Sequence, residues 1–464
     1  MRGCGLAAAF LLLAFLANAF VSLRAALPPR ADLHDAGVYM RAGWAIAAGE
    51  NPYRVADAHG WHYHYAPLLA ILFVPFADPP PEAVPAPGEA FLPAVVSFTL
   101  WYGIGTILLL AAVLMLAGAV ESGWVAEGRI RPRPFGSSWC QLRLLPLIAC
   151  YLPLQGSFIT GQVNMVVLLG IAGMAAGLLR RRRWRAGLWL SLAVCIKPFA
   201  ALLLLYPLLR REWRCLAGAG LGLVLGLALL PALVLGPSRA LALTRDWWDL
   251  RLVGLITGRL DPAIVDELNP VRGNFPSFAA MMFKTLHPHA AGRPPAIPMA
   301  YELAGTALGL LLLGLTLLLL FAWQPKRPRG AKSGAAAAEG LDAVEALLAI
   351  GSLTAIILPL LPTLKPHYYA LLLPLATGLA AAWLERPSAA GRARQALVAA
   401  FAYACAPGFL YHALRRLGLD ELALGLGLDT YAGLALWAAG LMVLGARRRT
   451  RETERRLRIA AASC

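Results

Sequence analysis

Apolar stretches of roughly 20 residues recur from one end of this chain to the other, separated by short loops rich in Pro, Arg and Gly. A helix of about that length crosses the hydrocarbon core of a bilayer. The chain is 59% hydrophobic and only 14% charged, with a mean hydropathy of +0.64, whereas soluble domains are about a quarter charged. The sequence therefore predicts an all-α polytopic membrane protein, with residues 1–464 forming a single integral membrane domain.

The net charge of +17 lies mostly in Arg and Lys clusters between the apolar stretches. A nucleic-acid-binding protein would gather such charge on one polar face, whereas clusters between spans mark cytoplasmic loops. We therefore expect membrane lipids and no nucleic acid as partners. The seven cysteines include no CxxC pair, so neither a disulfide framework nor a zinc site is predicted.

Taking the basic clusters as cytoplasmic gives about twelve alternating crossings with both termini inside. Two long outer loops result, at 27–92 and 237–297, with a cytoplasmic linker at 324–341 and a basic cytoplasmic tail at 447–464. The expected crossings are 6–26, 93–118, 144–156, 161–179, a pair within 186–209, 215–236, 298–323, 342–361, 367–384, 395–413 and 429–446.

The segment 186–209 lies between two Arg clusters, yet its 24 residues are too few for two full crossings. We predict two short or tilted helices that break at Lys197-Pro198, with Lys197 at the hairpin tip, part-way across or near the outer face. A single full crossing is the alternative, and it would invert the topology of everything that follows.

Asp35 and Tyr39 are four residues apart and would share one face of a helix. The residues alone favour Asp35 as a helix cap and Tyr39 as an anchor at the lipid headgroups. A general base is the second interpretation, because an acid where a membrane helix emerges is costly. Asn51 and Tyr53 follow in a Gly-Glu-Asn-Pro-Tyr turn.

Other polar groups also interrupt apolar segments. Gln162 and Asn164 are expected to face protein or a wet cavity, with helix–helix hydrogen bonding as the alternative. Lys197 is a stronger signal, because a lysine deep in an apolar stretch needs an anion, such as a lipid phosphate. Lys365 and His367 could bind a phosphate at the outer end of a later span, although an aromatic belt would look similar.

The sequence contains no GxxxxGK[ST] loop, no GxGxxG after a strand and no DxD pair, so no site for a metal and a nucleoside diphosphate is predicted. In the segment 60–77, His62 and His64 alternate and fit an interfacial aromatic belt better than a metal site. In the second long loop, Arg272, Asn274 and Ser277 supply hydrogen-bonding groups in a turn shaped by Gly and Pro.

Seven short motifs give the chain a resemblance to the C-type polytopic glycosyltransferases, most of all family 87, the polyprenyl-phosphate-mannose-dependent mannosyltransferases. No single motif is specific, but the ordered set is. The motifs are D-x-x-V-Y at 35–39, G-x-N-P-Y at 49–53, Y-A-P-L at 65–68, G-Q-V-N at 161–164, I-K-P at 196–198, G-N-x-x-S at 273–277 and P-H-Y-Y at 366–369.

The resemblance implies the C-type fold and an inverting transfer of a sugar, mannose, at the outer face of a bacterial cytoplasmic membrane, without metal or other cofactor. The donor would be a polyprenyl-phosphate sugar and the acceptor a glycolipid or polysaccharide. Asp35 would be the general base, with Asp32 as its competitor. Donor-binding residues would be Lys197, His367, Lys365, Arg272 and Asn274, and residues shaping the acceptor side would be Tyr39, Asn51, Tyr53, Tyr65, Gln162 and Asn164.

Two other functions remain open from the sequence. A transporter or flippase of a lipid-linked substrate would be expected to show repeated halves with broken helices at matching positions, whereas here only one hairpin is broken. A polymerase or ligase of the O-antigen type would be expected to use an Arg-centred outer site and a pyrophosphate-linked donor.

Overall fold

The structure is a computed structural model that describes residues 2–27, 33–83, 90–129, 132–253, 269, 271, 275–287, 296–321, 342–385, 410, 413–414, 416–419 and 427–463. Within these ranges the chain is helical, with no strand and only an isolated bridge between Ala56 and His62. The all-α prediction is thus confirmed for this part of the chain.

The α-helices are α1 (Arg2–Ala26), α2 (His34–Ala47), α3 (Pro67–Leu72), α4 (Ala94–Ala126), α5 (Ser137–Ala149), α6 (Tyr151–Ile159), α7 (Asn164–Leu179), α8 (Arg183–Ile196), α9 (Leu205–Leu209), α10 (Trp213–Val224), α11 (Leu230–Leu235), α12 (Pro237–Trp247), α13 (Phe278–Leu286), α14 (Met299–Phe321), α15 (Ala343–Ile357), α16 (Leu373–Glu385) and α17 (Leu428–Ser463). Four 3-10 segments join or extend them, at Val74–Phe76, Pro198–Leu204, Leu358–Leu360 and Pro366–Leu372. Two π segments, Leu225–Leu229 and Trp248–Val253, follow α10 and α12.

Six helical segments of the described chain are long and apolar enough to cross a membrane, and a seventh is added if α5 and α6, bent by 63°, form one span. They are Ala94–Ala126, Trp213–Leu235, Met299–Phe321, Ala343–Leu360, Pro366–Glu385 and Leu428–Thr453. This supports a polytopic membrane protein. Some expected crossings are shorter, since α7 with 16 residues reaches only about 24 Å. The count of twelve stays a prediction, because the linker at 324–341 and most of 395–413 lie outside the described residues.

Helix α4 runs between the two ends of the helix bundle. Near its start the indole Nε1 of Trp101 donates to the carbonyl of Gly161 at 2.8 Å, and near its end that of Trp124 donates to the Glu385 carboxylate at 2.7 Å. The helix rises about 34 Å between these indoles, close to the thickness of a hydrocarbon core. We call the end at Trp101 the site end and the end at Trp124 the basic end.

Ion pairs join three helix ends to the middle of α17 at the basic end. Arg447 of α17 contacts Asp342, before α15, at 2.7 Å and also pairs with Glu385 at the end of α16. Arg129, just after α4, contacts Glu385 at 3.3 Å. Both carboxylates are buried, so pairing offsets the cost of removing their charge from water. The contacts bring these helix ends to one end of the bundle, as the alternating topology requires.

The segment 186–209 forms the expected broken hairpin. Helix α8 ends at Ile196, Lys197 is extended with φ −131° and ψ 105°, and a 3-10 turn begins at Pro198. After α9 the chain returns, so that Glu212 lies 2.8 Å from Arg183 at the start of α8. Both ends of the segment therefore lie at the same end of the bundle, which agrees with two short helices and not with a single crossing.

Glycines allow α8 to pack directly against α10. A Cβ added to Gly187 would lie 2.0 Å from the carbonyl oxygen of Cys215, and one added to Gly218 would lie 2.4 Å from that of Trp184. In lipid, such close backbone contact is a main source of helix association. This packing fixes the height of α8 in the bundle and so holds Lys197 at the site end.

We expect Gly187→Ala to lower the stability of the protein by about 1–3 kcal/mol, since the new methyl group would overlap backbone atoms of α10. The matched control is Gly220→Ala on α10, where a Cβ would meet no atom within 4 Å. The unfolding midpoints of both variants are measured by heating the proteins in detergent and monitoring the folded fraction by size-exclusion chromatography. Equal midpoints for the two variants would contradict the close packing of α8 and α10.

Candidate functional site

Helix α2 presents Asp35 and Tyr39 on one face, as their spacing predicts. A Cβ added to Gly43 would lie 2.4 Å from the carbonyl oxygen of Phe73, so the glycine lets α2 lie against the turn after α3. At its start the N–H of Ala36 donates to the carbonyl of Thr160 at 3.2 Å. Helix α2 is thereby fixed to the turn between α6 and α7.

Gly161 in that turn has φ +63°, and a Cβ there would lie 2.5 Å from the Cβ of Ala36. Only glycine combines this conformation with so close an approach. The following residue, Gln162, is consequently placed next to Asp35.

The Asp35 carboxylate is bonded at both oxygens. Gln162 Nε2 donates to Oδ2 at 2.5 Å, and Lys365 Nζ donates to Oδ1 at 3.3 Å. Burial opposes the charged form, but Lys365, His367 and the Gln162 amide outweigh it and hold the pKa of Asp35 below its usual range. The carboxylate is therefore ionised at neutral pH and able to accept a proton.

Gln162 connects Asp35 to the buried Lys197. Its Oε1 accepts from Lys197 Nζ at 3.3 Å and from the Tyr39 hydroxyl at 3.2 Å. An ammonium group only donates hydrogen bonds, so the amide oxygen faces Lys197 and the amide NH₂ faces Asp35. The amide orientation is thus determined by its partners.

Lys197 is 2% exposed. Its Nζ bonds to the Gln162 amide and also lies 3.5 Å from the centre of the Tyr368 ring. A ring face and an amide oxygen stabilise an ammonium group without neutralising it. Lys197 can therefore receive an anionic group, as its place in the sequence suggested.

His367 lies beside these residues, 7% exposed. Its Nε2 is buried and has no hydrogen-bond partner among the residues that the structure describes. Its main-chain carbonyl accepts from Asn164 Nδ2 and from Ser157 Oγ, each at 3.1 Å. Asn164 thus holds the His367 backbone, and the ring nitrogen is left for a ligand, since an unsatisfied buried nitrogen is costly.

The residues alone favoured Asp35 as a helix cap and Tyr39 as an anchor at the lipid headgroups. Both interpretations are wrong. Helix α2 has Leu33 at its N-cap position without a side-chain hydrogen bond, while Asp35 bonds to other segments. Tyr39 is 1% exposed and bonds to Gln162 and to the Tyr65 hydroxyl, the latter at 3.1 Å. Burial raises the pKa of both tyrosines well above the usual range, so they are neutral hydrogen-bonding groups.

Asn51 and Tyr53 hold the segments around the site together through hydrogen bonds. Asn51 Nδ2 donates to Asp246 Oδ2 of α12 at 2.5 Å, and its Oδ1 accepts from the Tyr53 N–H at 3.0 Å. The Tyr53 hydroxyl donates to the carbonyl of Tyr65 at 2.9 Å. These bonds position Tyr65 and tie the first long loop to the second.

Sequence reasoning missed Arg251, which is 1% exposed. Its Nε donates to the carbonyl of Tyr63 at 3.0 Å and an Nη to that of Tyr53 at 2.6 Å. The surrounding RDWWDLR segment mixes charged and aromatic residues, and nothing in this pattern distinguishes a buried arginine from a surface one. Arg251 fastens the segment after α12 to the first long loop.

Three candidates lie outside the described residues: Asp32, Arg272 and Asn274. Their neighbour Ser277 precedes α13, where its hydroxyl accepts from the N–H of Ala280 at 3.3 Å and caps the helix.

A family model, Glycosyltransferase family 87, matches residues 63–344, more than half of the chain. The match includes Tyr65, Gln162, Asn164 and Lys197. Asp35 lies before the matched range and His367 lies after it.

Two similar proteins share one name, polyprenol-phosphate-mannose-dependent alpha-(1-2)-phosphatidylinositol mannoside mannosyltransferase. The protein of Mycolicibacterium smegmatis is 29% identical over 187 residues, which are 38% of this chain and 39% of that protein. The protein of Mycobacterium tuberculosis is 29% identical over 157 residues, which are 33% and 32% of the two chains. The chain thus spans less than half the length of these curated relatives. No solved structure matches it. By the family match over more than half of its length, the chain belongs to glycosyltransferase family 87.

Proposed function

We propose that the protein transfers mannose from a polyprenyl-phosphate donor to a hydroxyl of a glycolipid or glycan at the outer face of a bacterial cytoplasmic membrane. The observation that carries the proposal is the Asp35 carboxylate, which is ionised, partly accessible and joined through Gln162 to the buried Lys197. Membership of the family supports sugar transfer. The names of the two relatives support the donor and offer a phosphatidylinositol mannoside as the acceptor class to test.

In the proposed reaction Asp35 accepts the proton of the acceptor hydroxyl while that oxygen attacks the anomeric carbon of the donor sugar. The bond between this carbon and the phosphate oxygen breaks, and polyprenyl phosphate leaves with the electron pair. Attack from the face opposite the phosphate inverts the anomeric configuration. A positioned carboxylate contributes on the order of 10² to 10⁴ in rate to such a step.

Negative charge grows on the leaving phosphate, and buried cationic or hydrogen-donating groups stabilise it best. Lys197 and His367 meet this need, because both are buried beside Asp35 and the His367 ring nitrogen has no described partner. Lys365, Arg272 and Asn274 are further candidates for binding the donor. The fold we propose is the C-type arrangement with about twelve crossings.

Asp35→Asn keeps the size of the side chain but removes the proton acceptor and its charge, so we expect it to lower the transfer rate by about 10² to 10⁴. Purified protein in nanodiscs, supplied with polyprenyl-phosphate mannose and mannosylated glycolipids, measures the rate. Asp249→Asn is the control, an exposed acid near the same end of the molecule. Wild-type transfer by a folded Asp35→Asn variant would exclude the base role.

The charge of Lys365 gives a prediction for pH dependence. If the charge of Lys365 is removed, the cost of burying the ionised Asp35 carboxylate remains, so the pKa of Asp35 rises. A base acts when deprotonated, so activity is present above this pKa and is lost as the pH falls through it. We expect the acid limb of kcat/KM to move to higher pH in Lys365→Met and to stay in Lys365→Arg. An unmoved limb in Lys365→Met would contradict the electrostatic role.

Labelling of intact cells tests the outer-face assignment. In a cysteine-free background, a membrane-impermeant maleimide should label Ala58→Cys at the site end and leave Arg182→Cys at the basic end unlabelled, since both positions are exposed. Labelling of only Arg182→Cys would reverse the proposed orientation.

A further inference from the structure

A closed turn at residues 57–61 holds Trp61 beside the candidate site. The Asp57 Oδ1 accepts from the N–H groups of His59 and Trp61, both at 2.8 Å, and the Asp57 N–H donates to the carbonyl of Trp61 at 2.9 Å. Gly60, with φ +81°, allows the chain to close. Both main-chain polar groups of Trp61 are therefore bonded to one residue.

The same turn lies against the helix that carries Asp35. The Asp57 side chain is 4% exposed, and its Oδ2 lies 3.5 Å from where a Cβ of Gly37 would stand. Gly37 is two residues from Asp35 on α2. The turn that carries Trp61 therefore lies close to the helix that carries the candidate base.

Lys365 lies between the Trp61 ring and the base. Its Nζ is 5.9 Å from the centre of the ring and 3.3 Å from Asp35 Oδ1. Trp61 and the side chains of Lys365 and Asp35 are partly exposed, whereas Lys197 and His367 are buried. Asp35 therefore has two kinds of neighbour, the buried Lys197 and His367 and the partly exposed Trp61 with Lys365.

We propose that Trp61 is the stacking platform for the sugar ring of the acceptor, an inference that rests on the proposed function. A sugar ring has an apolar C–H face that packs on an aromatic ring, while its hydroxyls bond to charged groups at the edge. Lys365, which bonds to Asp35, supplies such a group near the indole, and the His59 ring stacks on the indole with centroids 5.2 Å apart, which leaves one ring face for a sugar. The acceptor hydroxyl would reach Asp35 from the accessible side, whereas the buried Lys197 and His367 lie away from solvent and suit the donor phosphate.

An interfacial belt is the competing role for this aromatic segment. A belt tryptophan needs its indole at headgroup level, and it needs neither a bonded main chain nor a lysine shared with an ionised carboxylate. The two roles differ in kinetics, because a belt residue affects protein stability and membrane association but not the Michaelis constant of one substrate.

The test compares Trp61→Leu and Trp61→Tyr with Trp248→Leu, an exposed tryptophan after α12. Donor and acceptor Michaelis constants are measured with polyprenyl-phosphate mannose and octyl α-mannoside. Loss of stacking should raise the acceptor KM about tenfold in Trp61→Leu, with the donor KM and the acid limb of the pH profile unchanged. Trp61→Tyr should retain most acceptor affinity, and Trp248→Leu should match the wild type.

An unchanged acceptor KM in Trp61→Leu, or a raised donor KM instead, would overturn the platform. A shifted acid limb would also overturn it, since Trp61 would then act through Lys365 on the base. If the wild-type protein transfers no sugar, the proposed function fails, and saturation-transfer NMR with octyl α-mannoside decides the platform alone. Binding lost in Trp61→Leu would support it, and equal binding would reject it.

Discussion

The two-ended hydrogen bonding of the Gln162 amide is the interaction on which the site depends. Its NH₂ group bonds to Asp35 and its oxygen to Lys197, so an acid on one segment and a cation on another are linked without neutralising each other directly. The ion pair with Lys365, together with the Gln162 amide, keeps the carboxylate ionised. Lys197 has no direct ion pair with Asp35 and remains next to the site through the amide oxygen.

This arrangement requires three pairs of chain segments to approach more closely than ordinary side chains allow. Gly161 brings the α6–α7 turn onto α2, Gly43 brings α2 onto the turn after α3, and Gly187 brings α8 onto α10. At the basic end, Arg447 with Asp342 and Glu385 joins the helices that return from the site. Polar contacts at both ends thus determine the vertical register of helices whose apolar surfaces alone would permit sliding.

The sequence predicted the parts of the fold and site that depend on local pattern. Hydropathy gave the helical class, the Arg clusters around 186–209 gave the broken hairpin, and the spacing of Asp35 and Tyr39 gave their shared face. It could not give contacts between distant segments. The Asn51–Asp246 bond and the burial of Arg251 join residues about 190 positions apart or more, and a polar residue in a loop has the same local pattern whether it is paired or exposed.

The two lysines differ in depth, and this divides their roles in the proposed reaction. Coulomb interactions strengthen as the effective dielectric constant falls, several-fold between a water-exposed pair and one near protein. Lys197, at 2% exposure, would therefore stabilise charge on a phosphate far more than Lys365, whose side chain is 33% exposed. Lys365 instead touches the accessible side of Asp35, where an incoming hydroxyl must displace or share it. A single lysine could not do both, because shielding from water and access for an acceptor are opposing requirements.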